Sequence, residues 1–310
     1  MEDLILTGPV VQSALKVLDQ KFRTHKLWEI EDKPAFLRDH TATRLMASFG
    51  TLQVDTDLMD ALPGLEMISV FGVGVDMVDL EAAKARGIRV TNTPDVLNDA
   101  VAEMTLALML ATCRQIVDAD AFVRAGNWLD APYPLTGELT GARVGILGLG
   151  RIGKEIALRC QAFKMQVVYH GRREQPFQPY PYYDNLVSMA RDVDWLIGVV
   201  PGDTGTEGLV SRQVLEALGP QGRFVNIGRG SLVDEGAMLE LLKNGGLGAA
   251  GLDVFLDEPQ VSPDFFDLPN VVLSPHQGSA TQKTRWEMGD LFVRNLLAYC
   301  DGTPLISPVI

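Results

Sequence analysis

A strand, a glycine turn and a helix follow one another without interruption between residues 142 and 163. Ala142-Arg-Val-Gly-Ile-Leu147 has the pattern of a buried strand. It runs into Gly148-Leu149-Gly150-Arg151-Ile152-Gly153, and an amphipathic helical stretch continues from Lys154 to Phe163. With 30 glycines in the chain a bare G-x-G-x-x-G match is common, so the strand before it and the helix behind it carry the weight. The glycines permit a tight turn and a close backbone approach, while the helix start offers unpaired N–H groups and a positive dipole end. Residues 148–153 are therefore expected to cradle the pyrophosphate of a dinucleotide.

The strand that follows indicates which dinucleotide. An NAD site commonly has Asp or Glu about 20 residues past the first glycine, bonded to the adenosine ribose. Here the segment reads Gln166-Val-Val-Tyr-His170-Gly171-Arg172-Arg173, with no acid at the strand end. Two planar guanidiniums suit a 2′-phosphate, and the missing carboxylate removes a repulsion against it. The expectation is NADPH/NADP+, with NADH weaker, and with His170, Gly171, Arg172 and Arg173 lining the adenosine end.

Length and composition bound the rest. A chain of 310 residues with 46% hydrophobic residues can bury two substantial cores. The apolar segments are too short to span a bilayer, and the acidic start Met1-Glu-Asp is unlike a secretion signal. Cys113, Cys160 and Cys300 form no metal-binding cluster and read as buried thiols in a reducing, cytoplasmic setting. No metal, membrane or nucleic-acid partner is expected, the last because the formal net charge is −13.

A dinucleotide-binding fold begins at its glycine turn, yet about 140 residues precede this one, so they need a fold of their own. Strand patterns at 4–6, 44–48, 67–70 and 89–91 alternate there with helical stretches such as 10–22 and 80–86. After the turn, strand patterns at 166–170, 195–200, 224–227, 249–254 and 271–273 again alternate with helices. The fold class is α/β with two doubly wound parallel-sheet domains. The apolar run 101–113 is expected to be buried between domains or subunits, and 127–135, with Trp128, Tyr133 and two prolines, is either an arm over a partner subunit or a packed loop.

Three polar residues stand just past strand patterns in the second half: Arg229, Glu258 and His276. Ligands of open parallel sheets bind beyond the carboxyl ends of the strands. Reduction of a 2-keto acid needs a hydride at the carbonyl carbon and a proton at its oxygen. His276 can donate that proton, Glu258 can fix its tautomer and raise its pKa, and Arg229 can bind a carboxylate and polarise the ketone. Each also has a plain structural alternative: a loop histidine, a solvated turn acid, and an arginine paired with Asp234 or Glu235.

These motifs, in this order, resemble the D-isomer-specific 2-hydroxyacid dehydrogenase family. The resemblance rests on 71–79 (Phe-Gly-Val-Gly-Val-Asp-Met-Val-Asp), 90–94, the glycine turn, 228–235, Leu252-Asp-Val-Phe255 with Glu258-Pro259, and Pro275-His276. The segment 170–173 and Pro201-Gly202 are most similar to the glyoxylate/hydroxypyruvate and hydroxyphenylpyruvate reductase branch. The resemblance implies a flavodoxin-like, discontinuous substrate domain (1–97 with 284–310) beside a Rossmann domain (98–283), and a homodimer. It implies acid–base work by His276 with Glu258, and substrate binding by Arg229 and by Val73 and Gly74. It places Val200, Pro201 and Asp253 at the cofactor, Asp253 on the nicotinamide carboxamide. The chain departs from the pattern at Asn98 (Thr expected), Gln277 (apolar expected) and Gly171 (often Ser). Substrate size stays open: Leu45, Met46 and Phe49 in the 44–50 segment suit an apolar substituent or the core. An NADPH-preferring reductase of glyoxylate or hydroxypyruvate leads. An aryl-pyruvate reductase and a catalytically silent NAD(P)(H)-sensing binding protein are the alternatives.

Overall fold

The computed structural model describes residues 1–49 and 52–310, which divide into two compact units, Met1–Leu97 with Thr281–Ile310, and Asn98–Ala280. In the first unit the strands are β1 (Glu2–Leu6), β2 (Phe22–Lys26), β3 (Leu45–Ser48), β4 (Met67–Val70) and β5 (Arg89–Thr91). They form one parallel sheet in the order β2-β1-β3-β4-β5, the flavodoxin-like order. Between them run α1 (Gln12–Lys21), α2 (Lys33–Asp39), α3 (Thr56–Ala61) and α4 (Leu80–Ala85). Three of these helices start on an aspartate whose carboxylate accepts a backbone N–H of the first turn: Asp32 from Ala35, Asp55 from Leu58, Asp79 from Ala82. Each cap satisfies a donor that the helix itself leaves orphaned.

Strands β3 and β4 are buried along their whole length because the central strands of a parallel sheet are covered on both faces. The C-terminal helix Gln282–Cys300 returns to this unit, burying Phe292, whose carbonyl accepts the Ser69 hydroxyl at 3.3 Å. The β2 strand was not expected. The helical pattern over 10–22 stops at Lys21, and Phe22–Lys26 pairs with β1 from Glu2↔Phe22 to Leu6↔Lys26. Its polar sequence is that of an edge strand with a single neighbour, and His25 and Arg23 both reach Asp3 on β1.

The second unit opens with α5 (Asn98–Arg114) and α6 (Ile116–Arg124), then β6 (Arg143–Leu147), α7 (Arg151–Ala162), β7 (Gln166–His170) and β8 (Tyr182–Tyr183). It continues through α8 (Leu186–Asp192), β9 (Trp195–Gly198), α9 (Arg212–Leu218), β10 (Arg223–Asn226), α10 (Glu235–Asn244), β11 (Ala249–Leu252) and β12 (Val271–Leu273). All seven strands are parallel in the order β12-β11-β10-β9-β6-β7-β8. The order reverses at β6, so a crevice opens at its carboxyl end, where the glycine turn lies. Helix α5, apolar nearly all round, packs within this unit against α7 and β11.

Cys113 and Cys160 are buried as expected, whereas Cys300, at the end of the C-terminal helix, is exposed. Burial pushes the Cys160 thiol up to about 12, far from the thiolate range at neutral pH. Native protein at pH 7.5 should leave Cys160 unmodified by iodoacetamide, and unfolding in guanidinium should release it. Peptide mass mapping checks this; full labelling in the native state would contradict the burial.

Candidate active site

The carboxyl ends of β6, β7 and β9 build the cofactor turn. The Gly148 amide donates to the His170 carbonyl at 3.0 Å, joining the ends of β6 and β7. Helix α7 begins after Gly150 with no side-chain cap and no acid in its first turn, which holds Arg151 and Ile152. Its leading N–H groups are thus left for an anion. Gly153 has no alternative, since a Cβ there would stand 2.2 Å from the Gly148 carbonyl oxygen. Leu149 is buried, and its carbonyl accepts the Gln175 side chain at 2.7 Å. The Val200 side chain closes over Gly148, and the Pro201 carbonyl is held by Thr206. A turn of this shape, with an uncapped twelve-residue helix behind it, fits a dinucleotide pyrophosphate.

At the end of β7, His170 donates from Nδ1 to the Tyr183 carbonyl at 2.8 Å, which leaves its Nε2 for other partners. The Gly171 carbonyl accepts the Tyr182 hydroxyl, and the Gln175 amide donates to the Tyr169 hydroxyl. The loop is therefore fixed from beneath. Arg172 and Arg173 project from it, exposed, and among the described residues neither has an ion-pair partner.

The three polar residues lie past β10, β11 and β12 of the same sheet. Asn226, fully buried at the end of β10, donates to the Arg229 carbonyl at 2.8 Å and accepts the Gly228 amide. This shapes the backbone that carries Arg229. Nearby, Asp234 caps α10, and Glu235 accepts the Leu256 amide. Gly230 permits close passage of the next loop, because a Cβ there would stand 1.9 Å from the Phe255 carbonyl carbon. That loop leads to Glu258, whose Oε1 accepts the Phe255 amide at 3.0 Å. Its Oε2 lies 2.7 Å from His276 Nδ1. A carboxylate only accepts, so Nδ1 carries the proton and Nε2 is left to face a substrate. Burial pushes the Glu258 carboxyl upward, but the His276 hydrogen bond and charge, the Phe255 amide and the Arg229 charge outweigh it. The group is held below its ordinary value of 4.5. The arrangement places a carboxylate–imidazole pair within the field of a guanidinium, a set of groups able to exchange a proton.

Asp253 does more than the sequence revealed. It is 1% exposed, and its carboxylate accepts the Ser274 hydroxyl at 2.6 Å, the Gln277 amide at 2.7 Å and the Gly278 amide at 2.7 Å. The His276 amide donates to the Asp253 carbonyl at 2.9 Å. These bonds hold His276 at φ +51°, a left-handed conformation uncommon for a residue with a side chain. Asn226, Ser274 and Glu235 are the positioning residues that sequence reasoning missed. For Asn226 and Ser274 the only signal was a polar residue closing, or just following, an apolar strand; Glu235 opens helix α10.

Val73 and Gly74 lie in the first unit, in the loop after β4, with the Val73 carbonyl held by Asn92 at 2.9 Å. In the 44–50 segment Leu45 and Met46 are fully buried core residues of β3 and cannot line a pocket. Phe49 alone remains a candidate, edge-to-face with Phe71 at 5.5 Å, while Gly50 lies outside the described residues. His25 and His40 contact each other's rings, and His25 Nε2 lies 2.7 Å from the Asp3 carboxylate.

The sequence profile described as "D-isomer specific 2-hydroxyacid dehydrogenase, NAD binding domain" matches residues 106–278. The chain is 44% identical to the hydroxyphenylpyruvate reductase of Plectranthus scutellarioides over 94% of each protein. It is 42% identical to the 2-ketogluconate reductase of Gluconobacter oxydans over 99% of this chain and 98% of that protein. The NADPH-dependent glyoxylate/hydroxypyruvate reductase of Sinorhizobium meliloti, crystallised with NADP and malonate, superposes with a TM-score of 0.92 at 40% identity, covering 99% of this chain and 96% of that one.

Two outcomes follow from the loop geometry. Asp253→Asn should destabilise the protein by about 1–3 kcal/mol in urea unfolding, since an amide donor would face buried N–H donors; unchanged stability would mean the loop does not depend on that carboxylate. The stability that ionised Glu258 contributes should be complete above about pH 5 and fade below about pH 4, because its pKa is lowered on folding. The difference in unfolding free energy between wild type and Glu258→Gln should be flat above that window and shrink beneath it.

Proposed function

Since the chain belongs to the D-isomer-specific 2-hydroxyacid dehydrogenase family, we propose that it is an NADPH-preferring reductase of small 2-keto acids, with glyoxylate and hydroxypyruvate as its substrates. The observation that carries this reading is the 2.7 Å pair of His276 Nδ1 and Glu258 past the strand ends, with Arg229 close enough to depress the carboxyl.

The cofactor, held by residues 148–153 and by Val200 and Pro201, supplies the hydride when bound. The protein does the rest. Arg229 binds the substrate carboxylate with its planar fork and polarises the ketone. Protonated His276 gives its Nε2 proton to the carbonyl oxygen as the carbonyl carbon is reduced, and retains the Nδ1 proton on Glu258. The histidine regains a proton from solvent, so one 2-keto acid, one hydride and one proton yield one 2-hydroxy acid. Asp253 keeps the His276 loop in place and stands by the nicotinamide carboxamide. The Val73 and Gly74 amides add donors for the substrate carboxylate.

The preference for NADPH is supported by the absence of an acid at the end of β7 and by the unpaired Arg172 and Arg173. It is also supported by the NADP complex of the Sinorhizobium meliloti relative. An aryl-pyruvate substrate is a second reading, favoured by Phe49 against Phe71 and by the Plectranthus scutellarioides relative. A homodimer is proposed from the arm 127–135, where Trp128 is 67%, Leu129 92% and Leu135 101% exposed. Apolar area of that kind normally marks an interface.

Initial rates with glyoxylate, hydroxypyruvate and hydroxyphenylpyruvate, each with NADPH and NADH and compared as kcat/KM, test the reading directly; NADH ahead with every substrate would refute it. His276→Ala should lower kcat by roughly 10²–10⁴-fold with NADPH affinity nearly intact; a near-normal kcat would remove the histidine from the chemistry. Replacing both Arg172 and Arg173 by Ala should weaken NADPH far more than NADH in fluorescence titrations, and equal losses would mean that neither arginine reads the 2′-phosphate.

A further inference from the structure

One residue of the second unit carries two unfavourable features at once. Phe177 is 101% exposed, so its ring gains nothing from burial in the folded chain. Its backbone also stands at φ +61°, in the left-handed region. A bulky side chain rarely adopts that conformation. The residue follows Pro176 in a turn, a place that glycine or asparagine fills when a positive φ is required. Glycine there would remove both penalties. Backbone strain under a side chain left wholly in solvent points to a contact that forms only when a ligand arrives.

The ring does not stand out because its loop is loose. Between β7 and β8 the chain is pinned on both sides of Phe177. Ahead of it, the Gly171 carbonyl accepts the Tyr182 hydroxyl at 3.1 Å and the Gln175 amide donates to the Tyr169 hydroxyl at 2.8 Å. The Gln175 side chain donates to the Leu149 carbonyl at 2.7 Å. Behind it, the Tyr180 hydroxyl donates to Gln161 of α7 at 3.0 Å, and the Pro181 carbonyl accepts the Tyr169 amide at 3.0 Å. The bond from Gln175 to Leu149 matters most, because Leu149 lies inside the glycine turn. It ties the segment that displays Phe177 to the residues that fit the pyrophosphate. The same loop carries Arg172 and Arg173. In a dinucleotide-binding sheet the adenosine ribose is met at the end of the strand after the glycine turn, here β7, so the base lies beyond it along this loop. All of these residues belong to one compact unit.

We propose that Phe177 is a cofactor-binding residue whose ring stacks on the adenine base. Stacking covers an exposed apolar face with a flat π-face and needs no hydrogen bond between protein and base. The proposal rests on the dinucleotide reading of the glycine turn. It gives the base a partner separate from those of the phosphates. Because NADPH and NADH share the adenine, Phe177 sets affinity for both and preference for neither.

Calorimetric titration with 2′,5′-ADP, which has the adenine and the 2′-phosphate but no nicotinamide, reads the site without turnover. Phe177→Ala should weaken its binding about five- to fiftyfold, and Phe177→Tyr should keep it within about threefold of wild type. The loss in Phe177→Ala should be the same factor for 5′-ADP, which lacks the 2′-phosphate. Without nucleotide, the Tm of Phe177→Gly should be no lower than that of wild type, because glycine relieves the left-handed backbone and no packing is lost. Phe177→Trp supplies a direct signature: 2′,5′-ADP should quench its emission beyond the change seen in wild type, since a stacked base quenches an indole. Unchanged 2′,5′-ADP affinity in Phe177→Ala would overturn the proposal. So would a lowered Tm in nucleotide-free Phe177→Gly, the mark of a ring packed for structure. A changed sedimentation coefficient in Phe177→Ala with nucleotide affinity intact would make the ring a subunit contact and overturn it too. If wild type binds neither nucleotide, the dinucleotide reading fails and the proposal with it; wild-type binding beside an indifferent Phe177→Ala sinks the stacking alone.

Discussion

A single buried carboxylate organises the catalytic end of the second unit. Asp253 leaves the last strand but one and gathers two backbone amides and a hydroxyl from the loop after β12. Without those bonds nothing in the local sequence would keep a histidine in a left-handed conformation between a proline and a glutamine. The distance from His276 to Glu258 is therefore a consequence of a residue that donates nothing to either. Asn226 does the equivalent work for Arg229 one strand over, and Gly230 lets the two loops pass. Parallel strands make this economy possible, because consecutive loops all leave the same edge of the sheet.

How much of this was legible in the sequence depended on whether a feature is local. Strands buried on both faces announce themselves as apolar runs, and 67–70 and 166–170 coincide with β4 and β7. Polar or very short edge strands do not, which is why Phe22–Lys26 and the two-residue Tyr182–Tyr183 were missed. The glycine turn was legible because its residues are close in sequence and each has a steric reason. Glu258 and His276 were legible as residue types past strand ends, but their 2.7 Å approach is set by tertiary hydrogen bonds that no spacing encodes. Leu45 and Met46 show the opposite error: a pocket and a core ask for the same side chains, and only burial separates them.

The two ends of the site differ in how they are built. The acid–base pair sits in a lattice of bonds that fixes backbone and side chain together. The adenosine end fixes only the backbone, through Tyr169, Tyr182 and Tyr183, and leaves the guanidiniums of Arg172 and Arg173 free to move. That contrast suits the tasks proposed for them. Proton transfer tolerates little misplacement, whereas a phosphate can be met by flexible cations that close around it.

The left-handed backbone at His276 carries an implication for anyone who would make this protein more robust. Glycine is the residue that such a conformation favours, and substitution schemes that score each position by its fit to the backbone would select it there. The histidine stands there against that preference, at a position where a gain in stability would delete the proposed proton donor. Stabilising efforts on this fold should leave residues 274–278 and Asp253 untouched and look for their gains on the outer helices.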